Sequence, residues 1–126
     1  MPHHLDIGRE GEDIAEAYLK KQGYKILGRN IANPQGKRLG EIDIVAQIKG
    51  EIVFVEVKTL VGHSSPEEYL PEHQVTRSKL VKLERIAAYY LRSTGLQDRE
   101  YRFDVIAVTL RDGAEPEIRH IEYAFL

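Results

Sequence analysis

The chain has no cysteine among its 126 residues, which excludes a disulfide scaffold, a thiolate zinc site and a cysteine nucleophile. Long apolar runs are also missing. The longest, such as Ile52-Val53-Phe54-Val55, fall far short of the roughly 20 residues that a membrane helix needs. There is no low-complexity tract and no internal repeat, which argues against disorder and fibrous architecture. Nor is there an excess of either charge. Eighteen Lys and Arg against twenty Asp and Glu leave −2, unlike a protein that relies on bulk positive charge to hold phosphates. A site built from carboxylates lowers the net charge by itself, so local patches matter more than the sum. Met1-Pro2-His3-His4-Leu5-Asp6 lacks the basic-then-apolar layout of a signal peptide. A cytoplasmic location and no membrane partner are expected.

What is present is ordinary for a soluble globular protein: 42% apolar and 30% charged residues, in a length that suits one domain spanning 1–126. Gly11, Ala15, Tyr18 and Leu19 fall on one stripe of a helix expected from about Ile7 to Gln22, with Ile14 flanking and Gly23 as its stop. Tyr24 to Ile31 suits a short strand, and Ala32 to Gly40 a loop. Two stronger strands follow at Glu41 to Ile48 and Glu51 to Thr59, with Lys49-Gly50 between them. Gly62 to Pro71 reads as irregular. A second helix is expected from Val75 to Thr94, and strands from Arg102 to Leu110 and from Glu117 to Phe125. The expected order is α-β-β-β-α-β-β, an α/β domain with a central mixed sheet and helices on both faces.

The hairpin at Lys49-Gly50 brings acids together. In the register where paired residue numbers add to 99, Ile42, Ile44, Ala46, Ile48, Val53, Val55 and Val57 share one face; a one-residue slip would split them. Asp43 then faces Glu56 and Glu41 faces Lys58, with Val45, Ile52 and Phe54 further along the same face. Directly opposed residues have Cβ atoms about 4.5–5.5 Å apart. Two carboxylates at that range need a shared proton or a shared cation. A hard divalent ion held by one or two carboxylates and a phosphate answers that need. A solvated ion pair between Glu56 and Lys58 explains the same residues without chemistry. Glu12, at the edge of the first helix's apolar stripe, is either one of several favourable acids near a helix N-terminus or a further site residue. Gly11 beside it costs roughly 1 kcal/mol in a helix, which a close approach to the sheet or a ligand would explain.

GREGEDIAEAYL (8–19), GEIDIVA (40–46), VFVEVKT (53–59) and RFDVIAV (102–108), with Val75, Lys79, Leu83 and Ala87 at four-residue spacing, resemble the YraN-like family of bacterial proteins. That family is placed in the PD-(D/E)XK nuclease superfamily, near archaeal Holliday junction resolvases. The resemblance implies a restriction-endonuclease-like, resolvase-like core and Mg²⁺- or Mn²⁺-dependent cleavage of phosphodiesters. It carries the metal-binding aspartate to Asp43, the acid and lysine of the (D/E)XK element to Glu56 and Lys58, and the helix-borne acid to Glu12. Leu60 stands where the family often has arginine, and Gly62 to Gln74 is longer than usual.

On this reading Asp43 and Glu56, with the Val57 carbonyl, hold the cation. Lys58 positions a water or stabilises charge on the phosphate, and Glu12 completes the metal shell or orients a water. Phosphate contacts are expected first from Lys79, then from Lys37, Arg38, Arg77, Lys82 and Arg85, although a solvated helical face accounts for them equally well. Basic residues of that kind serve backbone rather than base recognition, which suits branched DNA. Resolvase-like relatives act as dimers, so a homodimer on DNA is implied, with a monomer or weak dimer in its absence. The competing reading is an accessory protein that binds nucleic acid and does not cut. A histidine metal site is disfavoured, because His3, His4, His63, His73 and His120 lack i, i+4 ligand spacing.

Overall fold

The computed structural model describes residues 4–62 and 77–124. The irregular segment after Gly62, the first residues of the expected second helix and Phe125 lie outside the described residues. Helix α1 (His4–Lys21) stops as its glycine predicts: Gly23 adopts φ 95°, and the Tyr24 N–H donates back to the Leu19 carbonyl at 2.9 Å. Helix α2 (Arg77–Ser93) ends the same way, with Gly95 at φ 74° and Leu96 N–H bonded to the Leu91 carbonyl at 2.8 Å.

Strands β1 (Lys25–Ala32), β2 (Glu41–Ile48), β3 (Glu51–Val61), β4 (Tyr101–Leu110) and β5 (Glu117–Ile121) complete the order expected from the pattern. Strand β5 is shorter than its sequence suggests, since residues 122 and 123 already form a turn. Among the described residues the sheet has five strands in the order β1-β2-β3-β4-β5. Only β3 and β4 run parallel, joined by the crossover that contains α2.

The β2–β3 register is the expected one, from Ile44 opposite Val55 to Ile48 opposite Glu51. Lys49 (φ 50°) and Gly50 (φ 83°) are both left-handed, so the two-residue turn forms despite the strain of placing lysine there. Ile44, Ala46, Val53 and Val55 pack with Ala15 and Leu19 of α1. Val45, Ile52 and Phe54 point the other way, against Leu83, Ile86 and Ala87 of α2. The two helices therefore cover opposite faces.

One expected face assignment is wrong. Ile42 packs with the α2 cluster, not with Ile44. Its β1 partner Ile31 goes the same way, while Arg29 reaches back to α1. Between Arg29 and Ile31 sits Asn30 at φ 52°. A left-handed residue inside a strand breaks the two-residue alternation, so the chain beyond it presents the opposite face.

Candidate active site

The sheet opens where the expected acids lie. The β2–β3 ladder ends at Ile44 and Val55. Beyond that point Glu41 and Ile42 pair with β1, and Glu56 to Val61 pair with β4. Asp43 and Glu56 are thus the first residues past a fork rather than ladder partners. The Asp43 side chain spans the gap, with its Oδ2 accepting a hydrogen bond from the Val57 N–H at 2.7 Å. An open cleft of about 940 Å³ fills the mouth, lined by Glu12, Asn30, Lys37, Glu41, Asp43 and Lys58 among others.

The Asp43 carboxyl is strongly perturbed. Burial pushes its pKa from 3.8 up to about 7; the Val57 N–H pulls the other way, and the charges of Glu12, Glu56 and Glu41 push it higher. Three elements thus direct negative charge at a carboxyl that has already lost part of its hydration.

Helix α1 comes this close because of Gly11. A methyl group at that position would overlap the Thr59 hydroxyl of β3 and lie 3.0 Å from its Cβ. The approach foreseen from the sequence is therefore real, and it carries Glu12 to the cleft. Glu12 Oε1 accepts from Asn30 Nδ2 at 3.0 Å and from Arg29 Nη2 at 3.2 Å. The same Asn30 amide donates to Glu41 Oε1 at 2.9 Å. Glu41 was expected to pair with Lys58. It joins Glu12 through Asn30 instead, because the fork carries β2 away from β3. Lys58 lines the cleft and makes no ion pair among the described residues.

Glu56 stands on the α2 flank, beside Leu83. Its Oε1 is ion-paired with Lys79, while its Oε2 is buried without a hydrogen-bond partner among the described residues. Lys79 was expected to reach for phosphate, but it is turned onto a candidate ligand. Lys37 lines the cleft, and Arg38 is exposed beside it in the 3-10 turn Lys37–Leu39. Arg77, Lys82 and Arg85 are exposed on α2. Among the described residues no three His, Asp or Glu side chains stand assembled as a metal cage: Glu12 is held by Arg29 and Glu56 by Lys79.

Arg29 and Asn30 were missed by sequence reasoning. The available signal was two consecutive polar residues inside a short strand that also contains Gly28, a combination that suits a bulge.

A second charged cluster lies on the far side of β3. Asp104 of β4 is fully buried and accepts from Arg102 Nε at 3.0 Å and from the Tyr123 N–H at 3.1 Å. His120 Nε2 of β5 lies 2.7 Å from its other oxygen, and the opposite ring nitrogen meets the Tyr18 hydroxyl at 3.1 Å. Arg102 continues to Glu51 at 2.8 Å and to the Tyr24 hydroxyl at 3.0 Å. Burial works against the Arg102 charge, but Asp104, with smaller help from Tyr123 and Tyr24, more than offsets this, so its pKa is raised.

No helix among the described residues is long and apolar enough to cross a membrane. Residues 11–108 match the profile described as Uncharacterised protein family UPF0102. A UPF0102 protein of Syntrophotalea carbinolica is 46% identical over 121 residues, covering 96% of this chain and 92% of the relative. One from Rhodococcus jostii is 39% identical over 127 aligned positions, covering 99% and 100%. One from Moorella thermoacetica is 50% identical over 103 residues, covering 82% and 80%. With a profile match over most of its length and relatives aligned nearly end to end, the chain belongs to the UPF0102 family, whose YraN-like motifs it carries.

Proposed function

We propose that the fork is the centre of a divalent-cation-dependent endonuclease acting on structured or branched DNA, similar to Holliday junction resolvases, on a restriction-endonuclease-like core. The observation that carries this reading is Asp43, held at the fork with its pKa pushed up to about 7 by burial and by the charges of Glu12, Glu56 and Glu41. Such a group gains from a cation. The donor set fits a hard divalent ion: it is all oxygen, and the buried Oε2 of Glu56 lacks a partner among the described residues.

Asp43 and Glu56 would hold the ion, and Glu12 would complete its surroundings or orient a water. Bound there, Mg²⁺ or Mn²⁺ supplies polarisation of the scissile phosphate and a lowered pKa for an attacking water. Lys58 cannot ligate a metal as an ammonium; it positions that water or bears the negative charge growing on the phosphate. Lys37 contacts the backbone from the cleft wall. Two copies related by a two-fold axis would match the two strands of a junction.

A specific observation favours the alternative of a nucleic-acid-binding protein that does not cut: Lys79 and Arg29 already neutralise two of the acids. Incubation with four-way, flapped and linear DNA in Mg²⁺ or Mn²⁺ separates the two. Cleavage that is lost in Asp43→Asn and Glu56→Gln supports the nuclease. Junction binding without cleavage supports the accessory protein, and neither binding nor cleavage at millimolar ion overturns both.

A further inference from the structure

The two oxygens of Glu56 meet different fates. One is ion-paired with Lys79, in the first turn of α2, and the other is buried with no hydrogen-bond partner among the described residues. A partly buried carboxylate is therefore half served. The partners also differ in exposure. Glu56 sits in a strand paired to β4, with its side chain 21% exposed, whereas the Lys79 side chain is 42% exposed. A lysine ammonium is a compact, strongly hydrated charge on a flexible stem, so leaving for solvent is easier for Lys79 than for Glu56.

Two cations cannot share one partly desolvated carboxylate without repelling each other. The charge of Glu56 is also felt by Asp43 across the fork, so an ion drawn to both acids would compete with Lys79 for Glu56. We propose that Lys79 is the resident counter-ion of Glu56 in the cation-free protein, that a divalent ion displaces it, and that the displaced ammonium then engages a phosphate of the bound nucleic acid. This inference rests on the reading of the fork as a metal-dependent centre. It makes Lys79 a positioning residue that couples two binding events. The ion frees the ammonium for phosphate, and by reciprocity phosphate capture of the ammonium tightens ion binding.

The test measures binding by the whole chain, independent of any cleavage. In calorimetric titration with Mn²⁺ alone, Lys79→Met should bind about fivefold or more tightly than wild type, because the competitor is gone. Lys79→Arg, which keeps a cation on Glu56, should not. In Ca²⁺, the affinity of Lys79→Met for a four-way DNA junction should fall. If wild type binds Mn²⁺, Asp43→Asn abolishes that binding, and Lys79→Met binds no more tightly, the exchange is wrong while the metal centre stands. If wild type binds neither Mn²⁺ alone nor Mn²⁺ with junction present, both ideas fail together. Should Lys79→Met not fold, a Mg²⁺ titration of wild type labelled with ¹⁵N-lysine reads the ammonium directly. Its resonance should move to that of a solvated lysine, and a resonance that stays fixed while Mg²⁺ binds overturns the exchange.

Discussion

Asp43 and Asp104 are both carboxylates within strands of the same sheet, one on each side of β3, and the fold treats them in opposite ways. Asp104 is wholly buried and served by Arg102, His120 and the Tyr123 amide. Asp43 takes a hydrogen bond from the Val57 amide and faces the negative charges of Glu12, Glu41 and Glu56. The first arrangement ties β3, β4 and β5 together through ion pairs and reaches α1 through the hydrogen bond between His120 and Tyr18. The second holds like charges close together at a break in the sheet, a cost that proteins tolerate where a ligand is to be bound. Burial alone therefore does not tell these two carboxylates apart; the sign of the charge around each does.

The largest effect is expected at Asp104. Asp104→Ala takes the buried carboxylate from Arg102, which keeps Glu51, and from His120, and should cost about 3 kcal/mol in urea unfolding. An unchanged midpoint would show that the network is not structural.

Asp43 should behave in the opposite sense. Its folded-state pKa of about 7 lies above the ordinary 3.8. The stability linked to this group is therefore complete below about pH 4 and is lost as pH rises through about 7. Asp43→Asn keeps an oxygen for the Val57 amide and removes the charge. It should raise stability at pH 8 in metal-free buffer by roughly 3 kcal/mol and flatten the slope between pH 4 and 7. Destabilisation at pH 8 would mean that the fork acids are not in conflict.

The closeness of α1 to the fork is tested by Gly11→Ala. Overlap with Thr59 should outweigh the better helix propensity and leave a loss of about 1–2 kcal/mol, most of it recovered in the double variant with Thr59→Ala. A stabilised single variant would show that the helix can shift away. The smallest stability effect is expected at Lys58→Ala, within about 0.5 kcal/mol in thermal melts, because the side chain lies in the open cleft. Cleavage of junction DNA should nonetheless be lost in the same variant, and retained cleavage would remove Lys58 from the chemistry.

Much of this fold is legible in the residues because the signals are local. Gly23 and Gly95 stop their helices through left-handed backbone that glycine adopts without strain. The hairpin register follows from alternating valines and isoleucines, which a one-residue slip would expose. Gly11 announced a close contact through its cost in a helix. The motifs picked out Glu12, Asp43, Glu56 and Lys58, and the structure brings Glu12, Asp43 and Lys58 to one cleft with Glu56 on its flank.

What failed was non-local. The reversal of Ile42 depends on Asn30 in a neighbouring strand, and nothing within Glu41 to Ile48 signals it. Arg102 and Asp104 inside an otherwise apolar strand imply buried partners, but the partners come from residues as distant as Tyr24, Glu51 and His120.

The elements, their order, the hairpin register and the family can be read along the chain, because periodicity, turn chemistry and short motifs act over a few residues. Which charge meets which emerges from the folded chain alone: Lys79 lies on Glu56, Asn30 bridges Glu12 to Glu41, and Asp104 is neutralised while Asp43 is crowded. Electrostatic energy depends on distance and burial in space, and neither quantity is encoded in separation along the chain.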